Sequence, residues 1–206
     1  MTTQEHTAVH VHRDDVGSRM GMWLFLFTEL LLFGGMFFLY SVYRFNNQEA
    51  FHLAAKELNT VIGTFNTAIL LTSSLTMVLA IVAIQKRNKG LSILFQLLTI
   101  LLGLGFMVNK YFEWTAKFHH GIYPGSEELL SKSSGEILFF GLYYVMTGLH
   151  GLHVIIGMVL ISVMTVFTKR GVITHNNCVK LETAGLYWHL VDIIWIFLFP
   201  LFYLIT

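Results

Sequence analysis

The sequence predicts an all-α membrane protein, five transmembrane helices in a bundle, and three observations carry that prediction. Of its 206 residues, 55% are apolar or aromatic and only 12% are Asp, Glu, Lys or Arg, where an ordinary soluble domain carries about 25% charge. Eighteen phenylalanines add to more apolar side chain than one globule of this length keeps from water. Third, five apolar stretches, 20–43, 61–84, 90–112, 137–167 and 181–205, each exceed the roughly 20 residues that cross about 30 Å of hydrocarbon as a helix.

Residues 1–19 are polar and contain His6, His10, His12, Arg13, Asp14, Asp15 and Arg19. They lack the early apolar core of a secretory signal and are expected to remain as a solvent-facing tail, ahead of a single membrane domain over 20–206. The first stretch holds Glu29, about 14 Å along a helix and so near the bilayer midplane. The second carries Gly63 and Thr67 at i, i+4. The fourth, roughly 46 Å long as a helix, must tilt or protrude. It carries Thr147 and Gly151 at i, i+4 and Gly141 and Gly148 at i, i+7. Such small and hydroxylated residues let helices approach closely where lipid removes the hydrophobic drive to associate. Glu136 and Glu182 begin the fourth and fifth stretches, where acidic side chains complement the positive end of a helix dipole. Trp114, Trp188 and Trp195 read as interface anchors or packing, with Trp188 beside His189 also able to shape polar contacts.

Five spans put the termini on opposite sides. Arg13, Arg19, Lys86, Arg87, Lys89, Lys169, Arg170 and Lys180 fall on one side, against Arg44, Lys56, Lys110, Lys117 and Lys132 on the other. Basic residues stay inside, so the N-terminus is predicted inside and the C-terminus outside. A net charge of +1 provides no electropositive surplus for a polyphosphate backbone, so nucleic acid is not an expected partner. One cysteine, Cys178, rules out an internal disulfide or a multi-cysteine metal site within the chain.

The polar groups at membrane depth are the candidate functional residues. Glu29 reads either as a functional carboxyl or as a neutral side chain hydrogen-bonded between helices. His150 and His153, and likewise His189 and Asp192, stand at i, i+3 and share a helical face. If the two pairs meet, Asp192 can orient an imidazole. A buried hydrogen-bond network accounts for them without a metal, and neither a metal site nor a catalytic residue is assigned. The tail histidines suit either a solvated tail or a proton relay.

The segments GMWLFLFTE (21–29), FNTAILLTSS (65–74), TGLHGLHV (147–154) and ETAGLYWHLVDIIW (182–195) make the chain similar to subunit III of the haem-copper oxidases, from about residue 20 to the end. The resemblance implies a noncatalytic subunit without haem or copper of its own, beside a catalytic subunit I that carries them, reduces dioxygen and pumps protons. It also implies bound phospholipid, stabilisation of subunit I through turnover, support of proton uptake, and residence in a bacterial inner (plasma) membrane. Glu29 resembles the family's intramembrane carboxylate, and His150, His153, Glu182, Trp188, His189 and Asp192 its motif residues, expected as a lipid-binding or intramembrane polar network. Many members have seven spans; this chain resembles the shorter bacterial form. Leu186 stands where the family has an aromatic residue, so no contact of that ring carries over. The resemblance favours a cytochrome c oxidase, with a quinol oxidase or an accessory subunit of nitric oxide reductase as alternatives. From another class, the buried acids and imidazoles also fit an independent transporter or proton channel.

Overall fold

The computed structural model describes residues 15–205, and these form seven helices. They are α1 (Asp15–Asn46), α2 (Gln48–Ala55), α3 (Thr60–Gln85), α4 (Lys89–His119), α5 (Glu127–Leu130), α6 (Ser134–Lys169) and α7 (Val179–Tyr203). Five of them, α1, α3, α4, α6 and α7, are long and apolar enough to cross a membrane, so the all-α, five-span architecture is present. The expected tail overlaps α1, which begins at Asp15. The histidines His6, His10 and His12 lie outside the described residues.

Local chemistry starts and stops the helices. The Asn59 carboxamide accepts hydrogen bonds from the backbone N–H of Val61 and Ile62 at 3.0 and 3.2 Å, and Asn88 does the same for Leu91 at 3.1 Å. Each satisfies N–H groups that the first turn leaves unpaired. At α6 the Ser133 side chain accepts from the Glu136 N–H while the Glu136 carboxylate accepts from the Ser133 N–H, a reciprocal capping box. Glu136 is therefore a helix-start residue, as its position predicts. Gly171, at φ +78°, turns the chain out of α6 in a conformation that a side chain resists.

The bundle is packed around Trp188. Its ring fills a notch between Gly103 of α4 and Gly157 of α6, where a methyl group would stand 2.9 and 2.7 Å from ring carbons. Its indole N–H donates to Ser73 Oγ of α3 at 3.0 Å. Trp195 is equally buried and donates to Thr67 at 3.0 Å, so both tryptophans pack the core, while Trp114 is half-buried. Gly63 and Thr67 do form a close seam: a methyl on Gly63 would lie 2.8 Å from Phe199 and Tyr203 of α7. Of the glycines in the pairs expected on α6, only Gly148 is close-packed, with a methyl there 3.3 Å from Trp114. Gly141 has open space beside it, and Gly151 meets only the end of Met107 at 3.9 Å. The outer helix is α1, with 11% of its apolar window buried against 50% for α7.

Candidate intramembrane polar network

Glu29 of α1 reaches His153 of α6, with Oε2 and Nε2 2.9 Å apart. The other ring nitrogen, Nδ1, lies 2.8 Å from the Leu149 carbonyl oxygen. A carbonyl only accepts, so Nδ1 carries a hydrogen and the remaining proton sits between Nε2 and the carboxyl. The pair is either an imidazole accepting from a carboxylic acid or an imidazolium facing a carboxylate, and both hold one proton at the same place. Phe33 closes over the imidazole edge-on at 5.4 Å, and the Tyr187 hydroxyl donates to the His153 carbonyl at 3.2 Å.

At the end of the bundle that carries the start of α1, Glu182 accepts from Arg19 at 3.2 Å, Gln85 at 3.3 Å and the Cys178 thiol at 3.1 Å. Glu182 thus stands in the first turn of α7 and also ties α1 and α3 to it. Burial, and then the hydrogen bond to Glu182 and its charge, push the Cys178 thiol above its ordinary pKa. A cleft of about 410 Å³ runs from Arg19, Trp23 and Glu182 to His189. His189 Nδ1 lies 2.6 Å from the Ser74 hydroxyl.

The expected meeting of Asp192 with an imidazole does not occur among the described residues. Three residues along a helix advance about 300°, which leaves an i, i+3 pair splayed by about 60°. His153 therefore reaches α1, while His150 turns inward between Phe106 and Trp195, ring centroids 5.6 and 5.2 Å away. His150 is fully buried, and neither of its nitrogens bonds to a described residue. Asp192 is 3% exposed, and its carboxyl oxygens likewise have no partner within hydrogen-bond geometry. The Ser74 hydroxyl makes its hydrogen bond to His189 instead. Among the described residues no three His, Cys, Asp or Glu side chains converge as a set that could hold a metal ion.

A further cluster escaped the sequence reading. Lys110 and Glu113 form an ion pair of 3.0 Å inside α4, with side chains 7% and 5% exposed. The ammonium also donates to the hydroxyls of Tyr143 (3.2 Å) and Tyr203 (2.9 Å), and those hydroxyls donate to Glu113 Oε1 at 2.8 and 2.5 Å. Three ammonium donors and two phenol donors all find acceptors, so the set is closed. Lys110 and Lys117, counted above among the basic residues of the outer side, are both buried; Lys117 donates to the Glu57 carbonyl at 3.4 Å. The detectable signal was an oppositely charged i, i+3 pair at the end of an apolar stretch, which reads equally well as an interface charge.

This cluster belongs to a wider junction at the last turn of α7. A helix end leaves carbonyls without intrahelical donors. Here the Tyr40 hydroxyl of α1 donates to the Leu201 carbonyl and the Thr60 hydroxyl of α3 to that of Tyr203, the latter at 3.2 Å. With Lys110 and Glu113 of α4 and Tyr143 of α6, every other spanning helix sends a side chain to this one turn.

Comparison with known proteins agrees with the segments noted in the sequence. The family model described as cytochrome c oxidase subunit III matches residues 2–206. A cytochrome c oxidase subunit 3 of Alkalihalophilus pseudofirmus is 34% identical over 188 residues, covering 90% of this chain and 85% of the relative. A cytochrome bo(3) ubiquinol oxidase subunit 3 of Pseudomonas aeruginosa is 32% identical, covering 97% and 90%. A heme-copper oxidase subunit I+III of Aeropyrum pernix is 30% identical over 197 residues, covering 91% of this chain and 22% of that protein.

Proposed function

The chain belongs to the cytochrome c oxidase subunit III family and is a subunit III of a haem-copper oxidase, a multi-pass membrane component of a terminal oxidase complex; within that frame we propose how it serves the complex. It stands beside the catalytic subunit I in a bacterial inner membrane, leaves haem, copper and oxygen chemistry to that partner, and stabilises it through turnover. It binds phospholipid and supports proton uptake. The relative whose name joins subunits I and III in one protein supports the choice of partner.

The observation that carries the reading is the convergence of recognised segments far apart in the chain. Glu29 and His153, 124 residues apart, meet at 2.9 Å, and Trp188 and Ser73, 115 apart, at 3.0 Å. Both contacts fix one helix against another and expose no reacting group, which suits a supporting subunit. An inside N-terminus is supported by the burial of Lys110 and Lys117. Without them, Arg44, Lys56 and Lys132 are the basic residues of the opposite side, and the bias that orients the chain widens.

The test is affinity purification in mild detergent, followed by a visible spectrum and mass spectrometry. Larger haem-bearing membrane subunits copurify with the chain if the reading is right. A colourless chain on its own, or one carrying haem itself, overturns it. The same preparation, offered reduced cytochrome c or a quinol, identifies the electron donor. A cytochrome c oxidase is the first reading, and similarity to the ubiquinol oxidase subunit is the observation behind the second.

A further inference from the structure

Three of the spanning helices, α3, α4 and α6, end in the same turn. The N–H groups of Asn88, Ile122 and Val172 donate back to the carbonyls of Ala83, Lys117 and Phe167 at 2.9, 3.0 and 3.0 Å, each closing over one residue at positive φ. That residue is Gly121 after α4, at φ +68°, and Gly171 after α6, at φ +78°. After α3 it is Arg87, at φ +62°, the one residue other than glycine with positive φ among the described residues. A side chain is crowded in this left-handed region, so glycine is the stable choice for the position. Residues held there against that preference gather at ligand clamps and switch regions.

Arg87 stands in a basic surface. Lys86, Arg87 and Lys89 of the α3–α4 turn and Lys169 and Arg170 at the end of α6 are exposed, and none of the five forms an ion pair with a described residue. The two turns lie side by side: Lys89 Nζ is 4.0 Å from where a methyl on Gly171 would stand, and Gln96 of α4 donates to Thr168 of α6 at 3.3 Å. Residues 85–89 and 169–178 contain no Asp or Glu, and Glu182 beyond them already accepts from Arg19, Gln85 and Cys178. Retention of basic residues on one side of a membrane accounts for the sign of this surface. It does not account for an arginine where the two sister turns use glycine, since any neighbouring exposed position supplies the same charge.

We propose that this surface docks an acidic segment of another protein, with Arg87 as its anchor on a carboxylate. A guanidinium meets the two carboxylate oxygens with two parallel N–H donors. That fork needs a fixed position, which a tight turn supplies, and the flanking lysines add attraction without direction. A lipid surface asks only for positive charge near the headgroups, which flexible lysines provide without a residue in the left-handed region. The inference goes beyond the subunit assignment and depends on these two turns alone.

Membranes carrying the complex are treated with a water-soluble carbodiimide, which joins a lysine amine to a carboxylate only where the two touch, and the products are mapped by mass spectrometry. Lys86 or Lys89 is then found joined to an Asp or Glu of another chain. One charge-assisted hydrogen bond corresponds to about a tenfold change in occupancy, so Arg87→Gly lowers the yield of that link about tenfold. The same variant unfolds at an equal or higher temperature than wild type, because glycine suits the turn. An unchanged yield overturns the proposal, and so does a lost link in a variant that unfolds at a lower temperature. Absence of any link to another chain in wild type overturns it too; lysines then shielded from acetylation in phosphatidylglycerol nanodiscs but not in phosphatidylcholine ones identify a lipid surface instead. Copurification of haem-bearing subunits is read separately and bears on the subunit assignment alone.

Discussion

Replacing Lys110 and Glu113 singly and together tests whether the cluster at the end of α7 is a closed unit. Glu113 accepts three hydrogen bonds, from Lys110, Tyr143 and Tyr203, and among the described residues the ammonium has no other carboxylate in contact. Glu113→Gln leaves a carbonyl for the two phenols but removes the countercharge, stranding a buried ammonium, which costs about 3–5 kcal/mol. Lys110→Met strands the carboxylate with its two phenol donors, at a cost toward the lower part of that range. In the double variant neither charge remains, the Gln carbonyl still accepts from both tyrosines, and methionine fills the space of the lysine stem. Its cost falls to about 1–2 kcal/mol, so the two single effects exceed the double by at least about 3 kcal/mol. The assay is a double-mutant cycle on reversible unfolding of the purified chain in mixed micelles, with Tyr203→Phe as a control that removes one phenol and costs about 1–2 kcal/mol. Additive single effects, with coupling under about 0.5 kcal/mol, refute the closed-cluster argument.

Four further outcomes follow from the same structure. Glu29→Gln keeps a donor for His153 Nε2 and changes stability by less than about 1 kcal/mol, whereas Glu29→Leu leaves that nitrogen unpaired and costs about 1–3 kcal/mol in the same unfolding assay; equal effects sink the hydrogen-bond account. Gly157→Ala, with its methyl 2.7 Å from Trp188, destabilises by about 1–3 kcal/mol, while Gly141→Ala, with open space beside it, is neutral or stabilising; thermal denaturation ranks them. Asp192→Leu is neutral or stabilising in the isolated chain, because its carboxyl oxygens make no hydrogen bond to a described residue; a loss above about 1 kcal/mol in unfolding means that they have a partner. Alkylation of Cys178, the one thiol of the chain, is slow at neutral pH because its raised pKa leaves little thiolate, and it accelerates as pH rises; Glu182→Gln lowers that pKa and speeds the reaction at fixed pH, and an unchanged rate contradicts the Glu182 contact.

The spans were legible because a run of 20 or more apolar residues has few other folded outcomes. Their ends were not, since polar residues extend the helices past the apolar runs: α1 reaches back to Asp15 and α4 on to His119. The short α2 and α5 carry no long periodicity and went unseen; α2 is fixed by burying Phe51, Ala54 and Ala55. Among polar residues, identity was legible and pairing was not. Glu29, His153 and His189 stand out in apolar sequence, yet whether His153 finds Glu29 or Asp192 depends on how each helix is rotated about its axis. That rotation is set by bulk, in particular by Trp188 seated between Gly103 and Gly157. The Lys110 cluster draws on α4, α6 and α7 at once, and only its charge pair is local in sequence.

The loosely packed α1 explains why a carboxyl is placed at membrane depth at all. Apolar contact gives a helix little preference for protein over lipid, and α1 buries only 11% of its apolar window. Its position depends on polar contacts at three levels: Arg19 to Glu182 near its start, Glu29 to His153 midway, and Tyr40 to the Leu201 carbonyl near its end. At roughly 0.6 kcal/mol for an average interhelical hydrogen bond in a membrane, the three together supply about 2 kcal/mol. The first is solvent-exposed, with Arg19 60% accessible, and contributes least. Tyr40 anchors one end only, so Glu29 sets the register along most of the helix. Three contacts at three depths fix both tilt and rotation, which one contact cannot do, and Glu29 keeps that role whether its shared proton sits on oxygen or on nitrogen.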